Sequence, residues 1–551
     1  MSEPSTVGRE QMFPRLTPHQ IGRLGEMGNR RQVQAGEVLY EQGGTSPYFY
    51  VVLSGALEVV ELLDEGKELP ITVHGPGEFT GEVNLLLGRR SLVRARMRDV
   101  GEVLAISPEV LRRLIRADVE LGDIFLRAFL RRRVALIEKI PGDTVVIGSS
   151  HSAATLRIRE FLTRNGQPHS YLDVEKDPHV QGLFDRFGLR ALDVPVVICR
   201  YDRVLKSPTN EEIAECLGLN AALDGCAVRD LVVVGAGPAG LAAAVYGASE
   251  GLDVLVLEAN APGGQAGSSS KIENYLGFPT GISGQELSGR AFAQAQKFGA
   301  EVSVARTAAK LVCDIRPYRL ELKVGGTVRA RSVVLATGAQ YRKLPLPELG
   351  RFEGAGVYYG ATPIESRLCE GEEAIVVGGG NSAGQAAVYL AGTTRHVHIV
   401  VRGPGLSATM SRYLIQRIEE HPKITVRPFT QIEALEGGDH LERVRIRDSR
   451  SGEVETRPLR HAFLMTGADP NTDWLKGCVA LDPKGFVKTG PDLDHGDLER
   501  WPLARPPHLL ETSMPAVFAV GDVRSGSVKR VASAVGEGSI CVQLVHKVLA
   551  G

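Results

Sequence analysis

A chain of 551 residues exceeds what one hydrophobic core usually serves and predicts three or four domains. With 64 Lys and Arg against 65 Asp and Glu, the net charge of −1 argues against a general nucleic-acid binder or a polybasic membrane protein. No apolar run approaches the length that spans a bilayer, and the opening MSEPSTVGRE has neither an apolar h-region nor a cleavage pattern, so a cytoplasmic protein is expected. The seven cysteines are odd in number and widely spaced, without Cys-x-x-Cys. That pattern matches neither a disulfide framework nor a zinc site, and most are expected to be small buried apolar residues.

In chain order, short β-rich runs between residues 32 and 106 (EVLY, YFYVVLSGALEVV, ITVH, LVRARM, EVLAI) are punctuated by Gly, Ser and Pro and predict an antiparallel β-roll. Helices with apolar three-to-four spacing follow in PEVLRRLIRADVELGDIFLRAFLRRRVALIEKI. GEVLYEQGGTSPYFYVVLSGALEVV, followed by GEFTGEVNLLLGRRSLVRA, resembles the cyclic-nucleotide-binding domain of the catabolite activator and protein kinase regulatory subunits. The resemblance implies that Gly81, Glu82 and Arg89 hold a cyclic phosphate and ribose, with Arg90 standing where the family has Ser or Ala and the small hydroxyl displaced to Ser91. Two readings stay open: binding of cAMP or cGMP, and a β-roll kept for dimerisation or docking. A strand pattern, DTVVIG, comes next in place of a helix-turn-helix, which disfavours a transcription factor.

From DTVVIGSS to EEIAECLGL the order reads β-α-β-α-β with a final helix. It resembles the thioredoxin and glutaredoxin fold, with Val194-Pro195 at the family's cis-proline position. Where that family begins its first helix with two cysteines, this chain has Ser152, Ala153, Ala154 and Thr155, so thiolate chemistry is absent there. Cys199, on an apolar strand just past the proline, reads as core. The segment is expected to be a scaffold or partner-docking module.

LVVVGAGPAGLAAAVYGASEGLDVLVLEAN is more specific. A β-branched run ends in Gly235-x-Gly237-Pro238-Ala239-Gly240, a helix pattern follows, and Glu258 closes the next strand where a ribose hydroxyl acceptor belongs. The glycines permit a tight turn, close approach to a pyrophosphate, and close helix–strand packing. A second unit, EEAIVVGGGNSAGQAAVYLAG, carries Gly378-x-Gly380-Asn381-Ser382-Ala383. Two such folds in tandem point to two nucleotides and hydride transfer between a nicotinamide and a flavin.

With GGQAGSSSKIENYLGFP, VVLATGA, SMPAVFAVGDV and KRVASAVGEGS, the region from about residue 230 onward resembles the low-molecular-weight thioredoxin reductases. The resemblance implies FAD held by Glu258 at the ribose, by Gly264, Gln265 and Asn274 near the ring, and by Gly521 and Asp522 at the ribityl chain. It extends this set to Ala336, Thr337 and Gly338, and places Lys529, Arg530, Val531 and Ala532 at the pyrimidine edge. For the second nucleotide, Arg402 and Arg412 in HVHIVVRGPGLSATMSRYL suit the 2′-phosphate of NADPH, and no acid ends that strand to prefer NADH. The implied fold class is multidomain α/β and α+β. It comprises a β-roll with helices (1–140), a thioredoxin-like domain (143–225), and two Rossmann-like three-layer domains, FAD (228–347 with 468–551) around NAD(P)H (348–467).

The frame YYGATPIE sets Gly360 and Pro363 where that family carries Cys-Ala-Thr-Cys. Neither residue can attack a flavin, and Cys369 is a single thiol, so electrons are expected to leave the flavin for an external acceptor. Relatives lacking the pair include ferredoxin–NADP reductases of the thioredoxin reductase-like type. The leading expectation is an FAD-dependent NADPH oxidoreductase serving a redox carrier protein or small molecule, homodimeric, with no nucleic-acid or membrane partner. A non-catalytic redox or ligand sensor, and a reductase activity borrowing a partner's thiols, are the alternatives. The polar loop PDLDHGDLERWPLARPPHLLETSMP is a candidate partner surface.

Overall fold

The computed structural model describes residues 12–550 except 45, 63–66, 82–84, 86–90, 92, 140–143, 151, 178–179, 200–202, 222 and 270. Its first region is the expected antiparallel roll. One sheet joins Asn29–Val33, Gly101–Ile106 and Phe49–Ser54 in that order; the other joins Val38–Tyr40, Arg94–Met97, Leu57–Leu62 and Glu68–His74. The long helix Val119–Lys139 closes the roll because Phe125 and Phe129, one turn apart, face inward. They meet Phe49 and Phe79 at centroid distances of 4.9–6.3 Å, in mostly edge-on contacts that add to burial.

The second region is a four-stranded sheet in the order Arg203–Lys206, Val196–Cys199, Thr144–Gly148, Ser170–Asp173. Thr144–Gly148 runs parallel to Ser170–Asp173 and antiparallel to Val196–Cys199, the thioredoxin arrangement, and the Val194–Pro195 bond is cis. The strand Arg203–Lys206, ahead of the final helix Asn210–Leu217, was not anticipated from the sequence. It is an edge strand of four residues with exposed charged ends, so it lacks the apolar alternation that would betray it.

The third region is a sheet ordered Glu301–Val304, Val254–Glu258, Val228–Val234, Thr327–Leu335, Tyr318–Leu322, Ala308–Val312, with Val517–Ala519 added parallel to Thr327–Leu335. That last strand comes from beyond the second nucleotide unit, as a split domain requires. The unit between is a parallel five-stranded sheet: Val357–Tyr358, His461–Leu464, Glu373–Val377, His396–Val400, Ile424–Arg427. Two short strands, Ala339–Tyr341 and Ala468–Pro470, pair where the chain passes between the two sheets. The central strands are buried on both faces over their C-terminal parts, which is why these end in runs such as LVVV, VLVL and IVV. Each such side chain contributes about 1.5–3 kcal/mol.

The helix Gly284–Phe298 links two regions of the molecule. Near its start, Gly284 and Ser288 pack against the turn Gly264–Ser268 and Gly263. Near its end, the Lys297 carbonyl accepts a 2.9 Å hydrogen bond from Arg116 Nε of the roll helix Pro108–Ala117. Among the described residues, no helix is long and apolar enough to cross a membrane.

The cysteine expectation needs one correction. Cys313 and Cys478 form a disulfide across 165 residues, with Cα atoms 5.8 Å apart. Cys313 follows the edge strand Ala308–Val312, against which the turn Asp473–Leu475 packs, and this adjacency is invisible in spacing. Cys199, Cys216, Cys369 and Cys541 are buried as expected, and Cys226 is exposed.

Candidate active site

The first glycine motif is built by backbone contact. Val228–Val234 ends at Gly235, whose φ of +105° lies in the left-handed region. A Cβ there would stand 2.3 Å from the Ala336 carbonyl oxygen, and one at Gly240 would stand 1.9 Å from the Gly235 oxygen. The helix Pro238–Ser249 begins with Pro238, and Gly237, its N-cap, places no side chain over the amides. The nearest atom to a Cβ at Gly237 is Gly264 Cα at 3.9 Å, so the approach to this helix N-terminus is open. Ala239 is buried beneath it, where the C-terminal helix Val531–Ala550 crosses close enough that a Cβ on Gly538 would fall 2.2 Å from the Ala239 oxygen.

Glu258 ends its strand as expected. Its carboxylate accepts the Ala236 amide at 2.6 Å and the Asn260 amide at 2.8 Å. Burial pushes this carboxyl above its usual range, while those amides and the charge of Arg164 pull it back. Gly263 and Gly264 take positive φ values of 104° and 53°, and the Gln265 amide donates to the Ala339 carbonyl. Ala336 continues the sheet through its amide to Val234 O at 2.8 Å. Thr337 and Asn471 exchange two 2.9 Å hydrogen bonds across the chain crossing, next to Gly338.

Gly521, with φ +72°, opens the turn Gly521–Val523 that carries Asp522. Burial raises the Asp522 carboxyl, Lys529 lowers it, and Lys529 also donates to the Asp522 carbonyl at 3.2 Å. Glu537, unforeseen from any motif, holds this turn by accepting the Gly521 amide at 2.7 Å and pairing with Arg524 at 2.6 Å. Arg530 and Ala532 are exposed and Val531 is half-buried at the helix start. Asn274 is exposed in the loop bridged by Ile272 and Ile282 and does not line the central cavity.

The second motif repeats the logic. Gly378 has φ +143° and backs onto Met465 O, 2.3 Å from where a Cβ would be. Gly380 caps the helix Asn381–Leu390 with nothing nearer to its Cβ position than 4.0 Å. Asn381 accepts the Ser411 amide at 2.7 Å, Thr409 donates to Gly379 O at 2.7 Å, and Ala383 is buried. Ser411 and Thr409 escaped the sequence reading because they come from a loop with no motif. The Ser411 and Tyr413 hydroxyls are buried without a partner among the described residues, as polar groups awaiting a ligand would be. Arg402 and Arg412 are both exposed at this mouth, after His396–Val400 and at the start of Arg412–Glu419.

The turn Gly264–Ser268, beside the first motif, and Ser382 of the second open onto one cavity of about 630 Å³. Gln265 and Ser268 line it from the first side, Ser382 and Gln385 from the second, and Tyr341 from the crossing strand. Burial raises the Tyr341 phenol, a hydrogen bond with Ser382 lowers it, and Asp522 raises it again. Gly360 lies on the cavity wall with open space at its Cβ position, and Pro363 starts the helix Pro363–Leu368, capped reciprocally by Thr362 and Glu365. Among the described residues no cysteine lines the cavity. Cys369 is buried with its thiol donating to Glu365 O at 3.2 Å, and burial pushes that thiol up to about 12.

Ser152 caps the helix Ala153–Arg164, accepting the Thr155 amide at 3.4 Å, in the position where thioredoxins carry their cysteines. Glu160 of this helix reaches the cavity, a contribution that sequence reasoning did not foresee. In the roll, Gly81 takes φ +98°, and its carbonyl and that of Phe79 each accept a 2.9 Å bond from Arg132. Arg132 is fully buried, which brings its guanidinium down to about 10. The Ser91 hydroxyl donates to Val93 O at 2.8 Å. Glu82, Arg89 and Arg90 lie outside the described residues.

A family model described as pyridine nucleotide-disulphide oxidoreductase matches residues 229–538, and one described as cyclic nucleotide-binding domain matches residues 30–118. The chain belongs to the pyridine nucleotide-disulphide oxidoreductase family. It is similar to the thioredoxin reductase of Streptomyces coelicolor, at 33% identity over 314 residues, covering 56% of this chain and 91% of that protein. The Bacillus subtilis thioredoxin reductase is 32% identical over 320 residues, covering 58% and 94%. Among solved structures, thioredoxin reductase from Lactococcus lactis in its FR conformation aligns at a TM-score of 0.52 and 28% identity, over 58% of this chain and 99% of that one. That from T. acidophilum aligns at 0.52 and 27%, over 59% and 99%.

Proposed function

We propose that this protein is an FAD-dependent NADPH oxidoreductase of thioredoxin reductase-like type that delivers electrons to an external acceptor without an internal redox disulfide. The observation that carries the reading is a pair of glycine turns, each before an open helix N-terminus, with Gln265 beside the first and Ser382 of the second on one cavity whose wall holds Gly360 and no described cysteine. The residues fit the two nucleotides. Open space at Gly237 and Gly380 admits a pyrophosphate to each helix N-terminus, where amides and the helix dipole favour anions. Glu258 keeps acceptor capacity for ribose hydroxyls, Asp522 and Gln265 would hold the flavin chain and ring, and Arg402 would offer a guanidinium to a 2′-phosphate. When bound, FAD supplies the two-electron carrier between nicotinamide and acceptor. The side chains bind, orient and shield, and none is assigned a proton-transfer role.

The domain limits given above divide these tasks, with the N-terminal regions regulating or docking and cAMP or cGMP as the regulatory ligand. A redox carrier protein is the favoured acceptor and a homodimer the favoured assembly. Anaerobic addition of NADPH should bleach the visible flavin band of the holoprotein, faster than NADH does. A flavin that neither nucleotide bleaches refutes the reading. The sensor alternative draws support from the loss of thiols at both Ser152–Thr155 and Gly360–Pro363. Sustained NADPH consumption with an added carrier favours the enzyme over it, and dependence on a carrier's own cysteines would favour the borrowed-thiol route.

A further inference from the structure

The helix Ala153–Arg164 lies outside the span matched by the oxidoreductase family, yet it is laid across the site. Its first residue touches the second nucleotide unit so closely that a Cβ on Gly354 would fall 2.5 Å from Ala153 Cα. One turn on, Leu156 joins the apolar cluster of Tyr358, Ala361 and Cys369. At its last turn the helix reaches the opposite cradle. Arg164 Nη2 donates to the Gly264 carbonyl at 2.7 Å and lies 3.4 Å from the Ala261 carbonyl, while Nη1 pairs with Glu160 at 3.3 Å. The Arg164 side chain is 14% exposed, and its Nε is buried without a partner among the described residues.

We propose that Arg164 is a positioning residue for the dinucleotide of the first cradle, supplied in cis by the thioredoxin-like domain. The proposal rests on the reading that this cradle holds FAD. Ala261 and Gly264 bracket the Gly263–Gly264 turn, two successive residues with positive φ whose backbone freedom is costly to quench. That turn faces the open N-terminus of the nucleotide helix: a Cβ on Gly264 would sit 3.0 Å from Gly237 Cα. A charged donor to its carbonyls fixes it more firmly than a neutral one. The same guanidinium brings positive charge beside a site for a pyrophosphate and favours the ionised form of Glu258. The thioredoxin fold has no thiols at this helix but still shapes the flavin site.

The test uses the full chain, stripped of flavin and titrated with FAD by fluorescence, with NADP⁺ binding as a check on the other cradle. Arg164→Ala and Arg164→Gln should weaken FAD binding by about ten- to a hundred-fold, leave NADP⁺ affinity within about two-fold, and alter the visible circular dichroism of whatever flavin remains bound. Arg164→Lys should recover part of the loss. Asn220→Ala is the control for docking alone: Asn220 makes hydrogen bonds of 2.7 and 2.8 Å to Val304 on the same domain boundary, away from the turn, and its loss should leave FAD affinity within about two-fold. Wild-type affinity in both Arg164→Ala and Arg164→Gln overturns the proposal, as does an equal loss in Asn220→Ala. Should Arg164→Ala fail to fold, Arg164→Gln carries the same two outcomes. A wild-type chain that takes up no FAD overturns the cofactor reading and this proposal together, whereas the variant outcomes overturn this proposal alone.

Discussion

Two alanine substitutions three residues apart separate a glycine required by the fold from one required by the ligand. At Gly240 a methyl group meets the Gly235 oxygen at 1.9 Å and Val233 Cγ1 at 3.2 Å. The obstacle is backbone at the centre of a sheet, so the helix Pro238–Ser249 must retreat by roughly 1 Å, and such overpacking costs about 1–3 kcal/mol. At Gly237 the nearest atom is 3.9 Å away and φ is −69°, which alanine adopts freely. The apoprotein should tolerate Gly237→Ala within about 0.5 kcal/mol. Its methyl nevertheless stands where a pyrophosphate would approach. Gly237→Ala should therefore weaken FAD by about 1.4–2.8 kcal/mol, ten- to a hundred-fold, with the apoprotein unchanged, whereas Gly240→Ala should lower both stability and affinity. Denaturant unfolding of the apoprotein, paired with FAD titration, reads the two quantities separately. If Gly237→Ala binds FAD as wild type does, or unfolds as early as Gly240→Ala, the pyrophosphate does not lie over that helix start.

Three further outcomes follow from single groups. Arg402→Ala should raise the KM for NADPH by about ten-fold or more and leave NADH unchanged, because a hydrogen bond to a charged partner contributes about 1.5–3 kcal/mol; an equal effect on both nucleotides would remove Arg402 from 2′-phosphate recognition. Outside the Cys313–Cys478 bridge Cys226 is exposed while Cys199, Cys216, Cys369 and Cys541 are buried, and burial holds the Cys369 thiol protonated, so a thiol reagent should label one site rapidly in the native protein and none after Cys226→Ser. Burial keeps His74 neutral below the ordinary imidazole range, against the pull of Glu78 at 3.7 Å and with help from Arg132. The unfolded chain then binds the proton first, so its contribution to stability is present above about pH 6.5 and is lost as pH falls below that value. The melting transition of the roll should fall between about pH 7 and pH 5, and His74→Gln should flatten that slope; an unchanged slope would refute the assignment.

The glycine motifs were legible because their requirement is local. Gly240 answers to the Gly235 oxygen in the same strand–turn–helix, Gly235 takes the left-handed φ that the tight turn needs, and Glu258 answers to the end of the next strand. Asn274 kept its place in the motif but is exposed and not among the residues lining the cavity, since a loop outside the repeating elements has no period to fix its side. What went unread depends on elements brought together by tertiary packing. Thr409, Ser411 and Glu537 support the two sites from distant loops and helices. The Cys313–Cys478 bridge joins strands and turns 165 residues apart. Arg164 belongs to a domain whose own fold was recognised, but no pattern within that domain says which face it turns toward its neighbour.

The helix Gly284–Phe298 spans about 22 Å at 1.5 Å per residue. One tip is grasped by Arg116 of the roll, and the other shoulders the two left-handed glycines Gly263 and Gly264. The roll and the glycine turn are thereby braced against opposite ends of one rigid element, with a single helix as the span between them.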